Sequence, residues 1–181
     1  MKLFNMRKNG AGLEDIVAEC SKLSGKLITI VEVGSYAGES MEIFTRTGLV
    51  KTIFCIDPWK SGWDKDDPAS STDIEYAESK FDERAEDSKA EVIKHKGTLD
   101  DFILPDNAEV DLVYIDSCHK YKECRHDLLV SLDKLKPKIA IAGHDYAECW
   151  KEVIKAVNEV VGKPDKLFED SSWIKYMEKR S

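Results

Sequence analysis

The chain has 181 residues, a formal net charge of −8 and a sequence pI near 5.1. This acidity argues against a nucleic-acid partner, because surfaces that follow phosphates neutralise them with clustered Lys and Arg. No apolar run reaches the length of a membrane span, and residues 1–10 lack the apolar core of a signal peptide. The five cysteines show no C-x-x-C spacing, which fits reduced thiols. We therefore expect a cytoplasmic protein with no membrane partner.

Helical and strand-like patterns alternate along the chain. Leu13, Ile16, Val17, Cys20 and Leu23 recur at helical spacing, and Gly25 can end that helix. After it, the patterns predict a buried strand (27–33), a helix (41–48), a second strand "KTIFCIDP", a polar loop (59–71) and a helix (74–85). Next come a short strand "AEVIKHKG", a strong strand "VDLVYIDS" and a helix (124–135) closed by Pro137. The last predicted elements are a strand "KIAIAGHDY", an amphipathic helix (150–161) and a hairpin around Asp170-Ser171-Ser172.

This alternation predicts one α/β domain over residues 1–181. Parallel strands need crossover helices, so we expect a doubly wound, mostly parallel sheet of seven strands in which the closing hairpin makes the last strand antiparallel. Residues 1–26 form an N-terminal helical extension in this interpretation. Residues 59–89, a loop and the helix after it, are the candidate cover over a substrate.

Unusual residues follow each of the five predicted parallel strands. They are Gly34, Asp57, Gly97, Asp116 and the run Gly143-His144-Asp145. Ligands of open α/β sheets bind beyond the carboxyl ends of the strands. The shared position of these residues predicts a ligand site at that edge.

The glycine turn in "VEVGSYAGES" narrows the choice of ligand. Gly34 and Gly38 do not form the G-x-G-x-x-G pattern of dinucleotide sites, and no Gly-Lys-Ser/Thr follows as in a phosphate loop. Glu32, two residues before the turn, would repel a pyrophosphate but suits a ligand that carries a sulfonium and an ammonium group. Asp57 could bind the ribose of either NAD or S-adenosylmethionine (SAM), so it does not decide between them.

The segments "VEVGSYAGES", "IFCIDPW", "DLVYIDSCHKY" and "AIAGHDY" together resemble the class I, Rossmann-like SAM-dependent methyltransferases. More closely, they are similar to the small methyltransferases of the methyltransferase domain 24 group. The resemblance covers roughly residues 27–161 and implies that fold, with a reversed last strand, and SAM as the methyl donor.

The resemblance also implies roles for individual residues in binding SAM. Glu32 would lie beneath the methionine portion, Asp57 would hold the ribose, Trp59 would flank the adenine or the substrate, and Thr98 would contact the adenine edge. The full set of implied SAM-binding residues is Glu32, Gly34, Ser35, Tyr36, Gly38, Ser40, Asp57, Trp59, Thr98 and Asp116. A tight turn needs glycine without any ligand, and Trp59 could instead pack on the rim of the core.

Two chemistries remain open for the reaction itself. In metal-dependent relatives, carboxylates after the same two strands hold a divalent cation, which implies Asp116 and Asp145 as ligands of Mg²⁺ or another divalent ion. His144 stands where many such relatives have an acid, and Asp145 could simply cap the next helix. His119 is the alternative base, with Asp116 and His144 beside it as catalytic candidates. Cys118 occupies a position where the group often has an acid.

Three functions are therefore compared. The first is a SAM-dependent methyltransferase acting on a hydroxyl of a small molecule, a sugar or a phenolic metabolite. The second is a binding or scaffold protein with the SAM fold but no turnover. The third is an NAD-linked oxidoreductase, which the missing G-x-G-x-x-G pattern disfavours.

Overall fold

The computed structural model describes residues 11–62 and 73–178. The chain order is α1 (Ala11–Ser24), β1 (Ile28–Val33), α2 (Glu39–Arg46), β2 (Val50–Asp57), α3 (Ile74–Glu86), β3 (Glu91–Lys96), β4 (Leu112–Ile115), α4 (Tyr121–Val130), β5 (Ala140–Gly143), α5 (Lys151–Val160), β6 (Lys166–Leu167) and β7 (Trp173–Tyr176). Each predicted strand and helix within these residues is present. The predicted loop lies inside the described part only as far as Gly62.

The strands form one sheet in the order β3-β2-β1-β4-β5-β7-β6. The pairs among β1 to β5 are parallel, whereas β7 is antiparallel to both of its neighbours. The predicted seven-stranded sheet with a reversed last strand is therefore confirmed. The order reverses at β1, so β1 and β4 form the switch point beside which ligands of such sheets bind.

Two apolar clusters cover the two faces of the sheet. Successive residues of a strand point to opposite faces, so Ile30 faces the cluster of α1, α2 and α3, while Val31 faces the cluster of α4 and α5. The central strands are buried on both faces, which explains their continuous apolar runs in the sequence. This packing fixes the strand ends on which the site is built.

The helix after β4 differs from its prediction at its end. Instead of continuing as α-helix to residue 135, α4 ends at Val130 and is followed by one π turn (Ser131–Leu135). Lys136, with φ +48°, ends the turn in the left-handed conformation just before Pro137. None of the helices in the described ranges is long and apolar enough to cross a membrane.

Candidate active site

A cavity of about 520 Å³ opens at the carboxyl ends of the parallel strands. Most of the residues proposed from the sequence line it: Gly34, Ser35, Tyr36, Ser40, Asp57, Thr98, Asp116, His119, His144 and Asp145. Glu32, Gly38 and Trp59 are not part of the lining. The strand ends therefore bring the predicted residues together, as the α/β topology requires.

The glycine turn (residues 34–38) is set by a close approach between β1 and β4. Gly34 has φ +93°, and a Cβ atom at this position would lie 2.1 Å from the carbonyl oxygen of Asp116. No side chain fits there, so glycine is required for the chain path. Gly38, with φ +79°, is the N-cap of α2 and packs against Phe81.

Glu32 lies completely buried beneath the turn. Its Oε2 atom accepts a hydrogen bond of 2.6 Å from the Ser35 hydroxyl. The carboxyl group is therefore tied to the turn that it supports. The position of Glu32 beneath the methionine portion of SAM stays a prediction.

Asp57 connects the end of β2 to the glycine turn. Its two carboxylate oxygens accept backbone N–H bonds, from Tyr36 at 2.9 Å and from Trp59 at 2.7 Å. Burial raises the pKa of the Asp57 carboxyl, and these two N–H donors oppose only part of that rise. Each oxygen keeps a second lone pair, so the group can still accept ligand hydroxyls.

The side chain of Trp59 does not lie at the cavity, where the sequence led us to expect it beside the adenine or the substrate. Only 4 % of it is exposed, and its ring packs edge-on against Phe81 at 4.9 Å between ring centres. Its indole N–H donates to the carbonyl oxygen of Tyr36 at 2.7 Å. The ring is thus part of the core on the α3 side and supports the cavity wall from behind.

Asp145 lies between two buried histidines. Its Oδ2 atom bonds Nε2 of His119 at 2.8 Å, and its Oδ1 atom bonds Nδ1 of His144 at 3.0 Å. Burial by itself would raise the pKa of the Asp145 carboxyl, but the hydrogen bonds from the two imidazoles outweigh it and lower that pKa. Asp145 is not a helix cap, because α5 has its N-cap at Trp150.

The Trp150 ring stacks on a face of the His119 ring. The ring centres are 3.9 Å apart and the planes differ by 18°. His119 is 6 % exposed, so stacking and the bond to Asp145 together fix its orientation at the cavity wall. An oriented imidazole that borders a cavity is suited to take a proton from a bound molecule.

Asp116, His144 and Asp145 form the one group of three ligand-type side chains found in the described residues. One candidate ligand atom from each lies within 4.8 Å of the others. Two carboxylates and an imidazole can hold a divalent ion. Both Asp145 oxygens already bond to imidazoles, so a cation would share these oxygens with the two hydrogen bonds through their remaining lone pairs.

Further wall residues were missed from the sequence. His126, to which no role was assigned, lines the cavity, and its Nε2 atom bonds the Asp100 carboxylate at 2.9 Å. Asp127 accepts a bond of 2.6 Å from Ser117. The available signal was helical spacing, because Lys122, Glu123, His126 and Asp127 share the face of α4 that borders the cavity.

Comparisons with known proteins agree with this architecture. A sequence profile of the methyltransferase domain 24 family, described as a methyltransferase domain, matches residues 31–146, more than half of the chain. A search of the curated proteins finds no match. The family match favours a methyltransferase over an NAD-linked oxidoreductase.

Solved structures share the fold at low sequence identity. The O-methyltransferase NovP is 17% identical with a TM-score of 0.62, covering 93% of this chain and 80% of NovP. An O-methyltransferase from Bacillus cereus in complex with S-adenosylhomocysteine (SAH) is 12% identical with a TM-score of 0.59, covering 92% and 79%. A putative rRNA methylase from Clostridium thermocellum is 13% identical with a TM-score of 0.56, covering 91% and 97%. Together with the family match, the fold and the site show that the chain belongs to the methyltransferase domain 24 family, a family of class I SAM-dependent methyltransferases.

Proposed function

We propose that this methyltransferase transfers a methyl group from SAM to a hydroxyl of a small molecule, a sugar or a phenolic metabolite. The observation that carries the proposal is the His119–Asp145 hydrogen bond of 2.8 Å at the wall of the cavity. Two O-methyltransferases are similar in fold, which supports oxygen as the acceptor atom. A non-catalytic scaffold would have no need for such an oriented base.

The residues around the glycine turn fit SAM by their chemistry. Bound SAM supplies a methyl group made electrophilic by the sulfonium charge. The Glu32 and Asp57 carboxylates complement a cationic ligand with a ribose, and the turn at Gly34 carries no side chain into the space. In this proposal the methionine portion contacts Gly34, Ser35, Tyr36 and Ser40. The ribose binds to Asp57, the adenine contacts Thr98, and Asp116 lies near the bound SAM. Gly38 and Trp59 do not touch SAM but support the conformation of the turn.

His119 would remove the proton of the acceptor hydroxyl. In this proposal the ionised Asp145 would accept the Nε2–H of the neutral His119 ring, and Nδ1 would be the nitrogen that takes the proton. When the hydroxyl oxygen attacked the methyl carbon, its proton would pass to this nitrogen, and the electrons of the broken carbon–sulfur bond would stay on sulfur. Asp145, shared with His144, would stabilise the imidazolium that forms.

A small neutral or cationic acceptor agrees with the charges at the cavity. Among the described lining residues, only Lys60 and Lys122 carry permanent positive charge, whereas seven are acidic: Glu39, Asp57, Asp100, Asp116, Glu123, Asp127 and Asp145. A polyanion would be repelled here, although a structure described as a putative rRNA methylase shares the fold. The proposal therefore includes no nucleic-acid or membrane partner and, because all five cysteines are free, a cytoplasmic location.

We further propose one domain over residues 1–181 with residues 59–89 as the substrate cover. Gly62 and Ile74, on either side of residues 63–72, both line the cavity. Residues 63–72 themselves lie outside the described part of the chain. The N-terminal extension is supported by α1, whose Leu13, Ile16 and Cys20 are buried in the core; residues 1–10 are also outside the described part.

Thermal melting with ligands tests the choice of methyl donor. SAH at 100 times its dissociation constant should stabilise the folded protein by about 2.7 kcal/mol, whereas NAD should not. Methyl release over a panel of alcohols, phenols and amines then tests the acceptor. Stabilisation by NAD alone, or transfer confined to RNA or amines, would contradict the proposal.

A divalent ion is the second candidate, favoured by the cluster of Asp116, His144 and Asp145. These residues would hold the ion, which would lower the pKa of a bound hydroxyl. An ion, if used, needs Asp116 and Asp145 together, so either alanine variant should lose the metal dependence. Methyl transfer measured in chelator and then with added Mg²⁺, Mn²⁺ or Ca²⁺ separates the two candidates, because unchanged activity in chelator would exclude the ion and leave His119 or His144 as the base.

A further inference from the structure

Two side chains that do not line the cavity hold the glycine turn from behind. The indole N–H of Trp59 donates to the Tyr36 carbonyl oxygen at 2.7 Å. The Nη1 atom of Arg84 donates to the next carbonyl oxygen, that of Ala37, at 2.5 Å. Two consecutive peptide groups of the turn are therefore bound by partners that come from residues after β2.

Tyr36 needs such support because of its backbone conformation. Its φ of +43° lies in the left-handed region, which is unfavourable for a residue with a Cβ atom. The Asp57 carboxylate fixes its N–H, and the Trp59 indole fixes its C=O. Trp59 is itself left-handed at φ +40°, and its own N–H also bonds Asp57. Asp57, Tyr36 and Trp59 thus form a closed hydrogen-bonded loop.

Helix α3 holds these two side chains in place. Phe81 packs on the Trp59 ring and would lie 3.0 Å from a Cβ atom at Gly38. Arg84, on the same helix, also bonds Glu42 of α2 through Nε at 2.9 Å. The Lys94 ammonium lies 4.7 Å from the centre of the Trp59 ring. Contacts from α3 and from the end of β2 therefore hold the turn on the side away from the cavity.

We propose that Trp59 and Arg84 are positioning residues for SAM: they fix the peptide groups of Tyr36 and Ala37, and so preorganise the turn that binds the methionine portion. The inference rests on the proposed function, in which SAM contacts this turn. Preorganisation increases affinity because the free protein has already lost the alternative backbone conformations. Neither side chain needs to touch the ligand for this effect.

The test compares two conservative variants with two matched controls. Trp59→Phe keeps the ring but removes the N–H, and Arg84→Met keeps the aliphatic stem but removes the guanidinium. Trp173→Phe is the control for the first, since the buried Trp173 indole donates to the His144 carbonyl oxygen at 3.2 Å. Arg125→Met is the control for the second, because Arg125 pairs with Glu159 on the surface at 2.7 Å.

Calorimetry with SAH, at a temperature well below the melting point of every variant, measures the effect. Trp59→Phe and Arg84→Met should each weaken SAH binding about tenfold, as expected when one hydrogen bond of ordinary strength no longer supports the bound conformation. Trp173→Phe should lower the melting temperature as much as Trp59→Phe does, yet change SAH affinity less than twofold. Arg125→Met should change neither the melting temperature nor the SAH affinity strongly.

The outcomes separate this inference from the proposed function. Failure of the wild type to bind SAH would overturn the SAM assignment and the inference with it. If the wild type binds SAH and Arg84→Met binds it with unchanged affinity, as does Trp59→Phe provided that this variant folds, the inference is overturned but the proposed function is not. Equal loss of affinity in Trp59→Phe and Trp173→Phe would show a general effect of stability and would also overturn it.

Discussion

The Nε2 atom of His119 lies 2.8 Å from the Oδ2 atom of Asp145, although 26 residues separate them in the chain. His119 follows β4 and Asp145 follows β5, and these neighbouring parallel strands end at the same edge of the sheet. A buried carboxylate beside an imidazole orients the ring and stabilises its protonated form. Asp145 is therefore the residue that orients the proposed base, His119, and stabilises its protonated form.

Replacing His119 tests the base directly. His119→Ala should lower turnover by roughly 10²–10⁴-fold, the usual contribution of a general base, with SAH affinity little changed. Turnover of the wild type should also fall with decreasing pH as the ring becomes charged, because an imidazolium cannot accept a proton. The measurement is a pH–rate profile of both proteins with an accepted substrate. His144→Ala is the comparison, and full activity of His119→Ala at pH 7 would refute the assignment.

The lowered pKa of Asp145 predicts how stability changes with pH. A carboxyl whose pKa is lower in the folded than in the unfolded protein stabilises the fold above its unfolded pKa, about 3.9, and this contribution is lost as the pH falls below that value. Asp145→Asn, which tolerates the φ of +62°, should lower the free energy of unfolding by about 1.5–3 kcal/mol at pH 7. Melting curves from pH 7 to pH 3 should show the two proteins converging in acid. A constant difference across that range would contradict the prediction.

Gly34→Ala tests the close approach of β1 and β4. The added methyl group would meet the Asp116 carbonyl oxygen and the φ of +93° would be strained, so we expect a loss of at least roughly 3 kcal/mol of unfolding free energy. Gly25→Ala is the matched control, because Gly25 has φ +69° but no atom within 4 Å of the added Cβ. It should lose only about 1–2 kcal/mol, from backbone strain. Urea denaturation of both variants measures the difference, and equal losses would show that the contact with Asp116 relaxes.

Asp57→Ala tests whether Asp57, the residue proposed to bind the ribose, also stabilises the fold. The carboxylate oxygens of Asp57 accept the Tyr36 and Trp59 N–H groups in the folded protein. The variant should therefore lose SAH affinity and also roughly 1–3 kcal/mol of stability. Asp57→Asn keeps one accepting oxygen and should lose less stability with a similar loss of affinity. Calorimetry and urea denaturation give the two quantities; undiminished stability of Asp57→Ala would contradict the structural role.

The sheet and the strand ends were predictable because their signals are local. Continuous apolar runs predicted β1, β2 and β4, and alternation with helices predicted parallel pairing. Once the strands are parallel, residues after them must share one edge. This geometry brought Asp57, Asp116 and Asp145 to one cavity without any knowledge of side-chain contacts.

Features that depend on side-chain direction were not predictable in the same way. An aromatic residue after a strand can turn into the cavity or back towards the helices. Trp59 turns towards the helices, where its ring packs against Phe81 of α3. Apolar spacing likewise could not show the π turn after Val130, since it differs from an α-helix in hydrogen bonding, with Lys136 N–H bonding the Ser131 carbonyl oxygen. His126 was overlooked because its partner Asp100 comes from a distant segment.

The position of β7 has a consequence for how the protein is made. β5 pairs with β7, so its outer edge remains open during synthesis until residues 173–176 have left the ribosome. That edge belongs to the strand that carries His144 and Asp145, and the Trp173 indole reaches back to the His144 carbonyl oxygen. An uncovered edge strand is a place where chains associate wrongly. The nascent chain is therefore open to wrong association in the interval between the emergence of β5 and that of β7, when helices α1 to α4 have already emerged and the proposed reaction centre still lacks its neighbouring strand.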